Sequence, residues 1–446
     1  MIYHEVSWIR SNVGKFCPQV KTAALKWYRP LKYVPCFLQK PFKSLIQRWR
    51  KIPVIVQAAE TRAGDCPFKE LADYAKCPVQ RELPIINSFA TKVSARQLEL
   101  LAQHKLIKKI WYDREVKAVL DVAAPVVKST PLWDLGVTGK GVVVAVLDTG
   151  IYDHADLAGR IVGFKDFVKQ KTIPYDDNGH GTHVAGDVGS NGSQSGFSYL
   201  GPAYEAGLVG VKVLDKMGSG RLSTVIEGIQ WCIGNKDALG IRVLNMSLGS
   251  TATETYKNDP ACQAVEKAWS SGIVVCVAAG NEGPRAKTIS SPGIDPLVIT
   301  VGALDDRNTA APGDDLVAEF SSRGPTIDGL AKPDILAPGV NIISLRSPGS
   351  TLDKQNKNAR VGSWYFSLSG TSMATPVCSG VVAQMLQVDN SLTPDQVKKR
   401  LKETATALEN LEPDVQGVGL IDAGRATGQT EALSPNQNVK ETENNN

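Results

Sequence analysis

The sequence lacks most of the features that mark membrane, metal-binding and secreted disulfide-rich proteins. None of its apolar runs is long enough to cross a membrane, so no transmembrane segment is predicted. The amino terminus mixes basic and aromatic residues without a continuous apolar core, unlike a secretory signal. The 8 cysteines are spread along the chain without the CxxC spacing of a metal site. Together these absences predict a cytoplasmic protein with reduced thiols.

Charge is distributed unevenly along the chain. The net charge is +5, yet residues 1–120 contain 22 Lys and Arg against 9 Asp and Glu, so the remaining residues are net negative. The basic part therefore has two possible partners, the acidic remainder of the same chain or an acidic surface such as a membrane or nucleic acid. No nucleic-acid-binding motif accompanies the basic residues. We therefore expect no nucleic-acid partner and favour attraction within the chain.

Composition and patterning divide the chain into four segments. Residues 1–51 are basic, aromatic and interrupted by prolines, and are interpreted as an extension that packs on its own protein. Residues 52–120 predict a small α+β domain with two helices on an antiparallel sheet. Residues 121–428 form the main domain. Residues 429–446 are poor in apolar side chains and are predicted to be disordered.

The main domain alternates continuous apolar runs with helical patterns. Such runs are typical of strands buried on both faces of a parallel sheet. Strands alternating with helices predict an α/β fold with a doubly wound, mostly parallel sheet, in which functional groups collect beyond the carboxyl ends of the strands. The runs are 142–147, 206–214, 241–246, 273–279 and 297–301.

Ser372 lies where a polar segment meets an apolar helical pattern. It belongs to Ser369–Pro376, and an apolar run follows to Leu386. A serine at a helix N-terminus has backbone N–H groups and the positive end of the helix dipole beside its oxygen. That environment suits a nucleophile whose attack produces an oxyanion. A Ser/Thr-rich helix cap without chemistry is the alternative, and this stretch alone does not decide between them.

Asp148, His180 and Asn281 offer the other groups that such a nucleophile needs. Asp148 ends the first predicted strand of the sheet, His180 stands between two glycines at a predicted helix start, and Asn281 follows the fourth strand. The Asn281 amide can donate to a developing oxyanion. In isolation, Asp148 and Asn281 would be interpreted as turn residues.

A metal pair formed by His180 and His183 is a competing interpretation of the histidines. The His-x-x-His spacing, however, lacks the glutamate and the spacing of a zinc-protease helix. His183 is therefore interpreted as a packed structural residue.

The order Asp, His, Ser along the chain matches one of the three known orders of a catalytic triad, the order found in subtilisin. An α/β-hydrolase would need the serine first and a Gly-x-Ser-x-Gly turn. Here the serine comes last and the corresponding stretch, Gly370–Ala374, ends in alanine. The α/β-hydrolase alternative is therefore excluded.

The sequence resembles subtilisin-family serine proteases over about residues 130–425. Its amino terminus and two short stretches, Tyr175–Asn178 and Trp231–Ile233, resemble the AprX-type intracellular alkaline serine proteases in particular. The blocks that carry the family resemblance are Val146–Gly150, His180–Gly186, Phe320–Pro325, Lys332–Gly339 and Gly370–Pro376.

The resemblance implies a serine endopeptidase that works through an acyl-enzyme. His180 would take the proton of Ser372, Asp148 would orient His180, and Asn281 with the Ser372 backbone N–H would bind the oxyanion. The alternative is a catalytically silent binding or scaffold protein on the same fold, which the complete triad disfavours.

The same resemblance implies a substrate site that accepts many protein and peptide sequences. Ser247, Leu248 and Gly249 would pair with the substrate backbone as an added strand. With Ala279 and Gly280 they would wall the pocket for the residue before the cut, and such small walls favour a large apolar side chain. Asp176 is expected either beside a neighbouring subsite or as a solvated loop acid.

Residues 52–120 resemble the family's propeptide, which assists folding and then acts as an intramolecular inhibitor. Self-cleavage is expected between Lys117 and Pro125. The chemistry requires no cofactor, but calcium is the usual structural ion of the family. Asp156 matches a family ligand position, whereas the loop 191–196 departs from the family's calcium loop in length and composition.

Overall fold

The computed structural model describes residues 7–28, 51–59, 68–83, 87–112, 123–310 and 313–429. The chain divides into two compact units, residues 1–118 and 119–446. Most of the predicted cleavage segment, and all but the first residue of the predicted disordered tail, lie outside the described residues.

The first unit is built on a four-stranded antiparallel sheet. Its elements are α1 (Ser7–Ser11), α2 (Pro18–Tyr28), β1 (Ile52–Ala58), α3 (Phe68–Ala75), β2 (Arg81–Leu83), β3 (Ser88–Val93), α4 (Ala95–Gln103) and β4 (Ile107–Tyr112). The strand order is β2–β3–β1–β4. Every second residue of β1 is buried, which is the alternation of a strand with one face on a core.

The described part of the N-terminal extension belongs to the core of this first unit. Trp8, Phe16 and Trp27 are buried in the same apolar cluster as Ile110 of β4. The Lys15 Nζ donates to two carbonyls at the C-terminal end of α4, each at 2.9 Å. A cation at that end of a helix also interacts favourably with the helix dipole. The aromatic residues of the described part of the extension are therefore core residues.

The second unit contains an eight-stranded sheet and two small antiparallel sheets. Its strands are β5 (Val143–Asp148), β6 (Ile161–Asp166), β7 (Gly207–Lys212), β8 (Ile241–Met246), β9 (Ser250–Thr251), β10 (Val274–Ala278), β11 (Ser290–Ser291), β12 (Ile299–Asp305), β13 (Leu316–Val317), β14 (Ile335–Pro338), β15 (Ile342–Leu345), β16 (Arg360–Val361) and β17 (Tyr365–Leu368).

Helices flank this sheet. They are α5 (Ala123–Val126), α6 (Thr130–Trp133), α7 (His180–Gly189), α8 (Leu222–Gly234), α9 (Lys236–Leu239), α10 (Pro260–Ser270), α11 (Thr351–Gln355), α12 (Thr371–Val388), α13 (Pro394–Thr404), α14 (Pro413–Gln416) and α15 (Ala423–Thr427).

The large sheet confirms the predicted α/β fold. Its strand order is β13–β12–β10–β8–β5–β7–β6, with β14 also paired to β12, and only β13 is antiparallel. All five predicted apolar runs form strands of this sheet. Strand β6 was not predicted, because most of its residues are partly exposed and it lacks a continuous apolar run.

Helix α12 is the central helix of the second unit. It packs against β8, β10, β12, β14 and α7, and almost every residue from Thr371 to Leu386 is buried. A helix that is apolar on all sides is stable only when it is surrounded in this way. Within the part of the chain that the structure describes, no helix is both long and apolar enough to cross a membrane.

His154 connects the loop after β5 to the segment that enters β17. Its Nδ1 accepts from the Asp156 N–H at 3.1 Å, so its Nε2 carries the proton and donates to the Trp364 carbonyl at 3.0 Å. The residue is 1% exposed, and burial lowers the pKa of the ring below its ordinary value. The folded protein therefore keeps this imidazole neutral.

We predict that His154 makes the stability of the second unit fall in mild acid. Below about pH 6.5 the unfolded chain binds a proton at His154, whereas the folded chain does not. The free energy of unfolding therefore decreases as the pH falls. The stability advantage of wild type over His154→Gln should therefore be smaller at about pH 5 than at about pH 7.5. Urea unfolding in a Ser372→Ala background measures it, and an advantage independent of pH would contradict a neutral buried ring.

Candidate active site

The predicted site residues meet beyond the carboxyl ends of three adjacent parallel strands. Asp148 ends β5, Ser247 follows β8 and Asn281 follows β10. Helices α7 and α12 both begin at this edge, and they carry His180 and Ser372 at their N-termini. This is the edge at which open α/β sheets place their functional groups.

Asp148 and His180 form a close pair. The His180 Nδ1 lies 2.8 Å and 3.0 Å from the two carboxylate oxygens of Asp148. Asp148 is fully buried and also accepts the Thr149 N–H at 2.7 Å, whereas the His180 side chain is 22% exposed. Because an ionised carboxylate can only accept, Nδ1 carries the ring proton and Nε2 of the neutral ring keeps its lone pair.

The electrostatics of the pair favour the protonated ring. Burial acts to lower the pKa of His180, but the charge of Asp148 and its hydrogen bond outweigh burial and raise the pKa above its ordinary value.

Glycine next to His180 is required by close packing. A Cβ at Gly181 would collide with the Gly150 carbonyl and come within 3.1 Å of the Asp148 Cβ. The absence of this atom lets the first turn of α7 approach the end of β5, which brings the His180 ring within hydrogen-bonding distance of Asp148.

Asp176 holds the first turn of α7, which corrects both sequence-based expectations for it. It is 5% exposed and so cannot be a solvated acid or a free subsite charge. Its Oδ1 accepts from the N–H groups of Asn178 and Gly179 and from the Thr149 hydroxyl at 2.9–3.0 Å. Its Oδ2 accepts from the Thr182 N–H and hydroxyl at 2.9 Å and 2.7 Å. The carboxylate thus caps the helix that carries His180.

His183 is a structural residue in this fold. It is buried, its Nδ1 pairs with Asp187 at 3.0 Å, and its Nε2 donates to two backbone carbonyls at 2.9 Å and 3.1 Å. With both ring nitrogens engaged, it has no lone pair free for a metal ion. Within the described ranges, no group of three or more His, Cys, Asp and Glu side chains is arranged to hold a metal.

Ser372 is the second residue of α12. Its hydroxyl donates to the Ser247 carbonyl at 3.1 Å. The described hydrogen bonds of this hydroxyl do not include His180. A serine hydroxyl changes partner by rotation about one bond, and such contacts often tighten only when a substrate is bound.

The Asn281 amide and the Ser372 backbone nitrogen lie close to the same point beside Gly370. The Asn281 Oδ1 accepts from the Thr371 N–H and hydroxyl at 2.9 Å and 3.0 Å, so its Nδ2 points to the opposite side. A Cβ placed on Gly370 would lie 3.4 Å from that Nδ2 and 3.6 Å from the Ser372 nitrogen. Two donors converging on one point are the arrangement that binds an oxyanion.

A chain of buried polar groups behind Ser372 was not predicted. Ser379 of α12 donates to Asn245 of β8 at 2.8 Å, and Asn245 donates to the Ser247 hydroxyl at 3.0 Å. Ser247 then donates to the Ser372 carbonyl at 2.7 Å. The sequence did contain a signal for this network, because the polar residues Asn245 and Ser379 interrupt otherwise apolar runs.

A cleft of about 520 Å³ extends from His180. Ser247, Leu248 and Gly249 line it, as do Ser291 and Pro292. The apolar residues Leu214, Met217, Leu222 and Leu352 also line it.

Ala279 and Gly280, which were also predicted to wall the pocket, do not line this cleft. Ala279 is fully buried in an apolar cluster with Cys262, Ile289 and Ile294. Its side chain therefore lies behind the cleft and cannot contact a substrate. Gly280 is half-buried and is not part of the lining of this cleft.

Asp156 does not have the donor set of a calcium site. Its Oδ1 accepts from the Ser193 hydroxyl and the Gln194 N–H, and its Oδ2 accepts from the hydroxyls of Ser190 and Tyr365, at 2.6–3.0 Å. Burial acts to raise the pKa of Asp156, but these hydrogen bonds outweigh it and lower the pKa. A calcium ion needs several oxygen lone pairs, and here the lone pairs of the carboxylate already face protons.

We predict that the pKa of the His180 ring lies above 6.5 and falls when the Asp148 charge is removed. In the Ser372→Ala background, NMR titration should give a lower His180 pKa for Asp148→Asn, because burial then acts without the opposing charge. An unchanged His180 pKa would show that Asp148 does not stabilise the charged ring.

Comparison with known proteins finds matches to one family of proteases. A sequence model of the subtilase family matches residues 139–419. The chain is 50% identical over 436 residues to the serine protease AprX of Bacillus subtilis (strain 168), covering 94% of this chain and 98% of the relative. It is 37% identical over 359 residues to subtilisin E of Bacillus subtilis (strain 168), covering 78% and 82%.

Solved structures also match the chain. Sphericase aligns with a TM-score of 0.54 at 30% identity, covering 64% of this chain and 92% of that structure. A cold adapted subtilisin-like serine proteinase aligns with a TM-score of 0.50 at 34% identity, covering 64% and 90%.

Proposed function

We propose that this chain, which belongs to the subtilase family and is a serine protease, cleaves proteins with Ser372 as the nucleophile, His180 as the general base and Asp148 as the residue that orients His180. The family match confirms the resemblance drawn from the sequence blocks. The observation that carries the assignment of roles is the Asp148–His180 pair, at 2.8 Å, beside a serine at a helix N-terminus.

The first step is attack on the scissile carbonyl. The unprotonated Nε2 of His180 takes the proton of the Ser372 hydroxyl while Oγ bonds to the carbonyl carbon, and the imidazolium that forms is stabilised by Asp148. The carbonyl oxygen becomes an oxyanion, for which Asn281 Nδ2 and the Ser372 N–H are the donors. His180 then gives its proton to the leaving amine, and water hydrolyses the acyl-enzyme through the same groups.

Substrate binding also frees the nucleophile. We infer that a substrate backbone pairs with residues 247–249, so that a substrate N–H bonds to the Ser247 carbonyl. That carbonyl accepts the Ser372 hydroxyl in the unliganded protein, at 3.1 Å. Competition for this acceptor would turn the hydroxyl toward His180 when a substrate is in place.

Preference for a large apolar residue before the cut remains part of the proposal. Its support is that Ser247 and Gly249 give the cleft small walls and that Leu248 contributes an apolar one.

The N-terminal unit is proposed to act as an intramolecular inhibitor and folding aid. Two observations support this proposal. The unit has its own core under an antiparallel sheet, and residues 1–120 are net positive whereas the rest of the chain is net negative. A cytoplasmic location is proposed because Cys77, Cys232, Cys262, Cys276 and Cys378 are buried, free thiols. No cofactor is required by the chemistry proposed.

We predict that Ser372 reacts with a serine-directed phosphonate and that the protein digests casein once its N-terminal unit is removed. N-terminal sequencing of the purified protein identifies the cleaved bond and the form tested. Ser372→Ala should give neither label nor digestion. Folded, processed protein that neither labels nor cleaves would instead support the silent scaffold on the same fold.

We predict that Asn281→Leu lowers kcat by about 10²–10³ and changes KM little, because the lost donor acts mainly on the transition state. The magnitude is the one known for the equivalent loss in subtilisin itself. The matched control is Asn258→Leu, a change at an exposed asparagine outside the cleft, which should leave kcat unchanged. Steady-state kinetics on a peptide substrate, corrected by phosphonate titration of active enzyme, would contradict the assignment if both variants behaved alike.

A further inference from the structure

A charged clamp fixes the turn that precedes helix α11. The Asp353 carboxylate is 3% exposed and lies between two guanidinium groups. Arg346 binds it through two nitrogens, at 2.6 Å and 2.9 Å, and Arg360 binds it at 2.6 Å. The Gly349 N–H adds a bond at 2.9 Å. Hydrogen bonds from Arg346 hold the pKa of Asp353 well below its usual range, so the clamp is charged at neutral pH.

The clamped turn is attached to the segment that leads into His180. The Ser347 hydroxyl donates to the Asp176 carbonyl at 2.7 Å. The Thr351 N–H donates to the Asp177 carbonyl at 3.0 Å, and the Leu352 N–H donates to the Asn178 carbonyl at 2.9 Å. Residues 347–352 therefore follow the backbone of residues 176–178, so the turn is fixed relative to the catalytic base.

This attachment places Leu352 in the wall of the cleft. Leu352 lines it together with Asn178 and His180, and its side chain is only partly buried. Among the described residues that line the cleft there is no Asp, Glu, Lys or Arg. A substrate side chain beside Leu352 would therefore meet an apolar side chain, held in place by backbone bonds and by the clamp, in a wall without carboxylate, ammonium or guanidinium groups.

We propose that Leu352 is a specificity-determining residue, which selects an apolar side chain at one substrate position on the amino side of the cut. The inference rests on the proposed protease function and adds the position and the preference. Burial of an apolar group against this wall favours Leu or Phe at that position, whereas a charged side chain would lose hydration without gaining a partner. One apolar contact of this kind is worth about tenfold to 200-fold in kcat/KM.

A substrate-profiling experiment tests the proposal. Processed wild type, Leu352→Glu and Leu352→Ala are titrated with the phosphonate to give active-enzyme concentrations. Each is then profiled with peptide libraries that vary one of the four positions before the cut. Leu352→Glu should change the ratio of kcat/KM for apolar over basic residues by about tenfold or more at one position, toward Lys and Arg. Leu352→Ala should lose apolar preference there without gaining basic preference.

A matched control is Leu411→Glu, which introduces the same charge at an exposed leucine outside the cleft. Its profile should equal that of wild type. Active variants whose profiles match wild type at all four positions would overturn the role of Leu352 while leaving the protease function intact. Wild type that does not react with the phosphonate would overturn the protease function itself. If Leu352→Glu does not fold, the Leu352→Ala profile decides alone.

Discussion

The buried carboxylate of Asp148 imposes the constraint on which the rest of the site depends. A fully buried charge is costly unless it is paired and hydrogen-bonded. The chain meets this requirement with the Thr149 N–H and the His180 ring. The ring can reach Asp148 only because α7 begins directly beside the end of β5, where Gly181 permits close approach and Asp176 accepts the free N–H groups of the first turn. The Asp148–His180 pair is therefore a consequence of how the backbone N–H groups at this helix start find acceptors.

A second polar network sets the position of Ser372. Helix α12 lies in an apolar environment, where packing alone would tolerate small shifts along the helix axis. Asn245 and Ser379 are fully buried, and each would be left unpaired by such a shift. Hydrogen bonds between them, continued through Ser247 to the Ser372 carbonyl, fix the first turn of α12 against the end of β8. Buried polar groups of this kind give positional specificity at the cost of some apolar burial.

Much of the fold could be predicted from sequence because its main signals are local. Five buried strands appear as continuous apolar runs, and the starts of α7 and α12 appear as small and polar residues before apolar ones. Strand β6 escaped prediction because it is partly exposed and depends on pairing with β7. Pairing is a property of two segments, and neither segment alone reports it.

The sequence by itself determined which chemical groups are present, their order along the chain and the helix start on which Ser372 lies. Only the tertiary structure decided which groups meet. Asp176 and Ser347, 171 residues apart, became parts of one support for His180, and Asp156 became an acceptor of four hydrogen bonds. Ala279 was buried behind the cleft, whereas Leu352, from a distant turn, became part of its wall. The physical reason is that local periodicity records whether a face is buried, while partners are selected by packing and by the need to satisfy buried polar groups across the whole unit.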